Sequence, residues 1–150
     1  MKKKTCLVLT VILAGSMLAG CKKKAPSVPN GIYYNVTGAS IEIQGHSICM
    51  RNLDLSEIES NLYEKNALGK AENNLPEGES LPEEVRKEIC DKIDLEKQFI
   101  DEYQPVDFQE EEGVVGIYSE VFGSDLFLYI EYYAKEKTLI FDEMQFVLSK

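Results

Sequence analysis

The sequence has little of what enzymes and metal-binding proteins need. It contains one histidine, His46, and no CxxC, HxxxH or similar metal-ligand spacing. His46 lies three residues from Cys49, which on a strand places the two side chains on opposite faces and argues against a nucleophilic pair. Glycine-rich phosphate loops, GxSxG motifs and serine–histidine constellations are missing as well. The sequence therefore predicts no catalytic residue, no metal and no cofactor.

Carboxylates are plentiful but follow no ligand pattern. Calcium loops place oxygen ligands on alternate residues around a sharp glycine turn, and neither EGES (77–80) nor QEEEG (109–113) does so. We interpret both stretches as solvated charge runs. We expect that the protein is not an enzyme. The alternative is a hydrolase of cell-wall material, because two of the 26 acidic residues could form a carboxylate pair of the glycosidase kind.

Positive charge is scarce outside the N-terminal region. The whole chain has 16 Lys and Arg against 26 Asp and Glu, a formal net charge of −10. Six of the basic residues lie at 2–4 and 22–24, so residues 25–150 hold 10 basic and 26 acidic residues, a net charge of −16. Because nucleic-acid phosphates repel such a surface, nucleic-acid binding is not expected.

The N-terminus has the layout of a secretory signal peptide. Three lysines at positions 2–4 form a basic region, and the apolar stretch CLVLTVILAGSML and a small-residue cleavage site follow. A membrane-spanning helix needs about 20 apolar residues, and this run is shorter. We predict that residues 1–20 are a signal peptide.

The ending Leu18-Ala19-Gly20-Cys21 resembles the lipobox of bacterial lipoproteins. The resemblance covers only the leader, and it implies that Cys21 becomes the new N-terminus and carries a diacylglyceryl thioether, often with an amide-linked acyl chain. Two or more acyl chains give stable anchoring, and the lysines that follow favour anionic headgroups. We expect residues 21–30 to be a tether and the domain to lie on the extracytoplasmic side of a bacterial cell membrane.

Residues 31–150 are predicted to form a single α+β domain with no family resemblance of its own. GIYYNV (31–36) predicts a strand, and ASIEIQGHSICM (39–50) predicts a hairpin that turns at Gln44-Gly45, with His46 on the face of the isoleucines. Capping-box patterns predict two helices. The first begins at Asp54 and ends at Gly69; the second begins at Ser80 and runs to about Tyr103.

The C-terminal third is predicted to form a three-stranded meander of VVGIYSEVF, LFLYIEYY and TLIFDEMQFVLS. Gly123 suits the first central position of a type II′ turn, and that turn predicts a register that pairs Val121 with Leu126 and Ile117 with Ile130. Asp142-Glu143 suggests a bulge in the last strand. We therefore expect two helices packed on an antiparallel sheet of five or six strands. The sheet is either covered on both faces or curled in a lipocalin-like way, because both of its faces are apolar.

One face of the first hairpin in this meander is a plain core face, and the other is aromatic. The predicted core residues are Val115, Ile117, Val121, Leu126, Leu128, Ile130 and Tyr132. The opposite face holds Val114, Tyr118, Phe122, Phe127, Tyr129 and Tyr133, interrupted by Glu120 and Glu131. We expect the N-terminal hairpin or sheet closure to bury this aromatic face as ordinary core. The alternative is a ligand cup or a docking surface.

Two cysteines remain in the mature chain, Cys49 and Cys90. The predicted compartment permits a disulfide, and a bridge between them would close a loop of about 40 residues and contribute about 4 kcal/mol in the chain-entropy model. Both lie off the predicted apolar faces, which favours a bridge. Free thiols are the alternative.

These observations predict a lipid-anchored binding module without catalytic activity. Its partner would be an envelope protein, a peptide or a small ligand, and the candidate anchors are Tyr118, Phe127, Tyr129 and Tyr133. The alternative is a structural or assembly accessory of an envelope complex that uses the acidic helix surface and needs no pocket.

Overall fold

The computed structural model describes residues 24–150, so the predicted signal peptide and Cys21 lie outside the described residues. Within the described part of the chain, no helix is both long enough and apolar enough to cross a membrane. The strands are β1 Gly31–Tyr34, β2 Ser40–Gln44, β3 Ser47–Arg51, β4 Gln104–Pro105, β5 Asp107–Glu111, β6 Val114–Glu120, β7 Phe127–Tyr133, β8 Thr138–Phe141 and β9 Met144–Leu148. The helical segments are α1 Ser56–Ile58, a π-helical segment Glu59–Glu64, α2 Lys65–Asn73, α3 Glu83–Asp91 and α4 Leu95–Phe99.

The nine strands form one antiparallel sheet in the order β4-β3-β2-β1-β9-β8-β7-β6-β5. At the two ends of this order, β4 pairs with β3 and β5 pairs with β6. Because β4 and β5 follow each other in one extended stretch, the two edges of the sheet come together and the sheet nearly closes into a barrel. Two contacts join the seam. Val106 N–H donates to the His46 carbonyl at 2.9 Å, and Ser119 Oγ donates to the Pro105 carbonyl at 2.8 Å. The α+β class and the curled sheet are therefore confirmed.

The strand number differs from the five or six predicted. The sequence DFQEE of β5 is polar because the strand is largely exposed, so part of the stretch interpreted as a solvated charge run is a paired strand. The last predicted strand is two strands. Asp142 and Glu143, with φ of 46° and 64°, form a two-residue turn between β8 and β9, and the predicted bulge is wrong. Positive φ at both central residues is typical of a type I′ hairpin turn.

Two other predicted hairpin turns also differ in detail. The predicted β6–β7 register is confirmed, since Ile117 pairs with Ile130. However, Ser124 N–H donates to the Val121 carbonyl, which places Gly123 second and not first among the two central residues, with φ of 77°. In the N-terminal hairpin Gln44 pairs with Ser47, so the turn consists of Gly45-His46, and His46 is exposed instead of facing the core.

The helices depart from prediction at three points. The first helical run continues to Asn73, so Gly69 does not end it. The second predicted helix is broken into α3 and α4, because the Asp94 side chain accepts a hydrogen bond from Lys97 N–H and starts a new helix there. The predicted cap at Ser80 does not form, since the residue preceding α3 is Pro82 and it makes no side-chain bond. At the first helix, Asp54 Oδ1 accepts from Ser56 N–H at 3.0 Å.

The interior of the barrel is filled by its own side chains. Every predicted core residue of the β6–β7 hairpin is buried, except that Leu126 is partly buried against the core. Residues at the centre have no surface accessible to water, which excludes a ligand cavity among them. They are Tyr33, Ile41, Ile43, Ile48, Met50, Ile117, Leu128, Ile130, Leu139 and Phe146.

The two ends of the barrel differ. The helices pack at the end where β3 finishes and β7 begins, and Tyr63, buried in the π-helical segment, donates its hydroxyl to the Phe127 carbonyl at 3.1 Å. The chain preceding β1 lies at the opposite end, beside the β2–β3 turn. There Val28 is buried in the core, and Gly45 N–H donates to Asn30 Oδ1 at 2.7 Å.

Candidate functional site: the outer aromatic face

The predicted aromatic face of β6 and β7 lies on the outside of the barrel, and the expectation that it is buried is wrong. Phe127 is 55% exposed and Tyr129 is 42% exposed, while Tyr118 and Tyr133 are partly buried. The N-terminal hairpin does not cover them, because β1–β3 extend the sheet sideways toward the seam. We call Tyr118, Phe127, Tyr129 and Tyr133 the outer aromatic face. All four anchors predicted from the sequence belong to it.

Two of these rings lie together over a glycine. Tyr118 and Tyr129 are cross-strand partners, and their ring centroids are 4.9 Å apart at an angle of 37°. A Cβ atom on Gly116 would lie 2.7 Å from Tyr118 Cε2 and 2.9 Å from Tyr129 Cε2. The absence of a side chain at position 116 therefore lets both rings approach the strand closely, where they form an aromatic platform whose two rings are inclined to each other by 37°.

A carboxylate lies between the tyrosines of β7. Glu131 is two residues from Tyr129 and two from Tyr133, so all three side chains leave the same face of the strand. Tyr133 donates its hydroxyl to Glu131 Oε2 at 2.8 Å, and Tyr129 donates to Oε1 at 3.3 Å. The sequence pattern predicts Glu131 only as an interruption of the aromatic face, but its two-residue spacing from Tyr129 and Tyr133 makes it a member of that face.

The phenols of Tyr129 and Tyr133 stay protonated at neutral pH. Burial raises the pKa of Tyr129 above its usual range, and the charge of Glu131 raises it further. At Tyr133 the hydrogen bond to Glu131 is the main cause of a raised pKa. Both hydroxyls are therefore hydrogen-bond donors, and the single negative charge among them is the Glu131 carboxylate.

The surroundings of the face are acidic. Asp107 pairs with Tyr118 and Glu120 pairs with Phe127, so both carboxylates border the rings on the outer side of the sheet. No Lys or Arg occurs from 105 to 133, a range that contains seven acidic residues. These are Asp107, Glu110, Glu111, Glu112, Glu120, Asp125 and Glu131.

The helical layer contacts the edge of the outer aromatic face at the end of β6. Gln98 of α4 donates to the Glu120 carbonyl at 2.7 Å and accepts from Phe122 N–H at 3.0 Å, which fixes the strand end next to the rings. Gly123 packs against the Lys92 carbonyl so closely that a Cβ atom there would overlap it. Phe122 itself is 59% exposed beside this edge.

The remaining candidate residues do not converge. His46 is exposed, and its ring lies 4.7 Å from that of Phe108, centroid to centroid. Cys49 is buried, Cys90 is partly buried, and both are free thiols, so the alternative of a bridge between them is not what the structure contains. Among residues 24–150 no group of three or more His, Cys, Asp and Glu side chains is arranged to hold a metal ion.

Comparison with known proteins identifies no relative, since no family model, no curated protein and no solved structure matches the chain. The residues that prediction missed are Glu131, Gly116 and Asp107. Asp107 contributes through its cross-strand neighbour Tyr118, and Gly116 through the approach of Tyr118 and Tyr129, both of which depend on strand pairing. Glu131 contributes through neighbours on its own strand, and its two-residue spacing was visible in the sequence. What distinguishes this surface chemically is a set of exposed aromatic rings with carboxylates between and around them.

Proposed function

We propose that the protein is a lipid-anchored binding module of the bacterial cell envelope and that the outer aromatic face binds a segment of a partner protein. The observation that carries this proposal is the exposure of Phe127 and Tyr129 beside the platform of Tyr118. Tyr and Phe side chains provide large contact area at low entropic cost, which is why they are enriched where proteins bind each other.

A protein segment fits this surface better than a small apolar ligand does. Small ligands are usually held in concave sites that enclose most of their surface. The outer aromatic face lies on the convex side of the sheet, and the barrel interior is filled by residues such as Ile117 and Phe146. A partner chain can cover a convex face from outside. Its binding energy then comes from the surface area that the two proteins bury together, and no enclosed pocket is needed.

The contacts of residues 28–30 support a defined position relative to the membrane. Tyr33 donates its hydroxyl to the Pro29 carbonyl at 2.8 Å, and Val28 is buried, so the free part of the tether ends before residue 28. Six residues, 22–27, then separate the proposed lipidated Cys21 from the domain and reach about 20 Å when extended. Because the tether enters the barrel beside the β2–β3 turn, we expect that end to face the membrane and the helices to face away from it.

Site-specific photo-crosslinking tests the binding role. A benzophenone amino acid at position 127 in the full chain, expressed with its own leader, should give one reproducible adduct with an envelope protein. The matched control is the same group at Tyr34, which is 46% exposed on β1 of the same barrel. We expect an adduct from position 127 that is lost in the Y129S/Y133S variant. No adduct from position 127, or the same adducts from both positions, would rule out the proposed site.

The anchoring role has a separate test. Replacement of Cys21 by serine removes the thiol that the lipobox requires, so the variant should lose the mass of the diacylglyceryl group and leave the membrane fraction. Mass spectrometry of the intact protein and membrane fractionation provide the two readouts. Unchanged mass and unchanged retention of C21S would refute lipidation and leave the binding proposal to be judged by crosslinking alone.

The accessory role is the second candidate, and the exposure of α3 favours it. No residue of α3 is buried, and Glu83, Glu84 and Glu88 are exposed on it. An assembly partner that binds this acidic helix would be lost on reversal of the three charges, E83K/E84K/E88K. The crosslinks from position 127 should persist in that variant if the outer aromatic face is the binding surface.

A further inference from the structure

We infer that the partner is a basic protein segment and that Glu131, between Tyr129 and Tyr133, receives one of its arginine or lysine side chains. This inference rests on the proposed function and names the chemistry of the partner. Its basis is the arrangement of rings and carboxylate on β7 together with the charge of the surrounding sheet.

Glu131 has unused capacity to bind a cation. A carboxylate has about four lone-pair positions, and the hydroxyls of Tyr129 and Tyr133 occupy two of them. Within the described part of the chain, Glu131 forms no ion pair with a Lys or Arg. The two donated hydroxyl bonds hold the carboxylate in one orientation, so a cation that approaches it meets a prepared acceptor.

The neighbouring rings add a second attraction for the same group. Cations bind over the faces of aromatic rings, and Arg also stacks on them through its planar guanidinium. The platform of Tyr118 and Tyr129 lies on one side of the Glu131 carboxylate, and Tyr133 lies on the other side along β7. A guanidinium that pairs with Glu131 therefore has a ring within reach on either side.

Charge decides between a foreign partner and a second copy of this chain. Residues 25–150 carry a net charge of −16, and residues 105–133 carry seven acidic and no basic residues. Two such faces brought together would repel each other, whereas a basic segment is attracted to the carboxylates that lie among and beside the rings. Asp107 and Glu120, which border the rings, extend this attraction to neighbouring basic residues of the partner.

Binding of short peptides to the full chain in mild detergent tests the inference. The probes are fluorescein-labelled hexaarginine and, as the uncharged counterpart, hexaglutamine, measured by anisotropy at two salt concentrations. The decisive variant is E131Q, which removes the charge but keeps oxygen and amide groups of nearly the same size. The matched control is E84Q, which removes one charge from the exposed surface of α3.

We expect E131Q to bind hexaarginine about tenfold more weakly, as the loss of a charge-assisted bond and its flanking rings requires, and E84Q to change the affinity less than about twofold. E131D, which keeps the charge, should recover part of the loss. Equal effects of E131Q and E84Q would mean general attraction to an acidic protein and would overturn the inference, as would equal binding of hexaglutamine.

The outcomes separate this inference from the proposed function. If E131Q retains hexaarginine binding and the crosslink from position 127 while Y129S/Y133S loses that crosslink, the face binds its partner without the cation and only the inference fails. If Y129S/Y133S leaves the crosslink from position 127 unchanged, the proposed function fails. Circular dichroism of each variant verifies that the barrel is retained.

Discussion

The rings of Tyr118 and Tyr129 lie 4.9 Å apart, centroid to centroid, across the place where Gly116 has no side chain. This relationship fixes the shape of the outer face at its centre, because a Cβ atom at position 116 would lie 2.7 Å from Tyr118 Cε2 and 2.9 Å from Tyr129 Cε2 and would displace the rings. The shape of the proposed binding surface therefore depends on a residue that offers the partner no side chain of its own.

Replacement of Gly116 by alanine is predicted to weaken partner binding with little effect on stability. The new Cβ atom meets only the outer atoms of two partly exposed rings, which can tilt away, so the free energy of unfolding should change by less than about 1 kcal/mol. Crosslinking from position 127 should drop clearly. Gly69 provides the matched control, since a Cβ atom there meets nothing within 4 Å, and G69A should leave the crosslink unaltered.

Neighbouring residues on β7 should differ sharply in their contribution to stability. Ile130 is fully buried and Tyr129 is 42% exposed. We predict that I130A lowers the free energy of unfolding by about 2–5 kcal/mol, because it leaves a cavity in a filled interior. Y129A should lower it by about 1 kcal/mol or less. Urea unfolding followed by tyrosine fluorescence measures both, and similar losses for the two variants would mean that the outer aromatic face is core after all.

The β8–β9 turn offers a stabilising substitution. Glu143 has a φ of 64°, a conformation that glycine adopts without steric cost, and Asp-Gly is a preferred pair for type I′ turns. E143G should raise the free energy of unfolding by about 0.5–1 kcal/mol, measured as a higher urea midpoint at unchanged slope. Alanine at the same position is the control, since it removes the charge but keeps the unfavourable φ. A lower midpoint for E143G would contradict the turn geometry.

The two free cysteines should be distinguishable by alkylation. Burial raises the pKa of both thiols, and Cys49 is fully buried whereas Cys90 is partly exposed. Iodoacetamide without a reductant is therefore predicted to modify Cys90 slowly in the native protein and Cys49 only in denaturant. Peptide mapping identifies the modified residue. A chain that takes up no label in denaturant until it is reduced would instead contain the disulfide.

Acid should weaken the contact between Glu42 and Arg51. Hydrogen bonds from Arg51, at 2.6 Å, and from Tyr103 lower the pKa of Glu42 below its ordinary value of 4.5. A carboxyl group with a lowered pKa stabilises the fold above its unfolded pKa, and this contribution is lost as the pH falls through the folded pKa. The stability difference between the parent and E42Q should therefore be constant from pH 7 to about 5 and shrink below pH 4. Urea unfolding across this range measures it, and a difference independent of pH would exclude the carboxylate as the cause.

Local patterns were sufficient for much of the sheet. The alternation in β6 and β7 predicted the core face, because a strand with one buried side must repeat every two residues. The glycine turn predicted the register, which the pairing of Ile117 with Ile130 confirms even though Gly123 takes the second central position. The same alternation placed Tyr118, Phe127, Tyr129 and Tyr133 together on one face. The break between α3 and α4 was less accessible, since it depends on a single Asp94 cap within an otherwise helical pattern.

The sequence by itself determined the class of the domain, its acidic charge, the core face of its main hairpin and the set of aromatic residues on the opposite face, because these follow from composition and from the two-residue repeat of a strand. Only the tertiary structure decided that the aromatic set faces solvent. That outcome depends on whether β1–β3 stack on the sheet or extend it. The polar stretch 104–111 joins the two edges of the sheet by backbone hydrogen bonds, and its side-chain pattern does not predict them. Closure of the barrel buried one apolar side and left the other outside, with Glu131 among its rings.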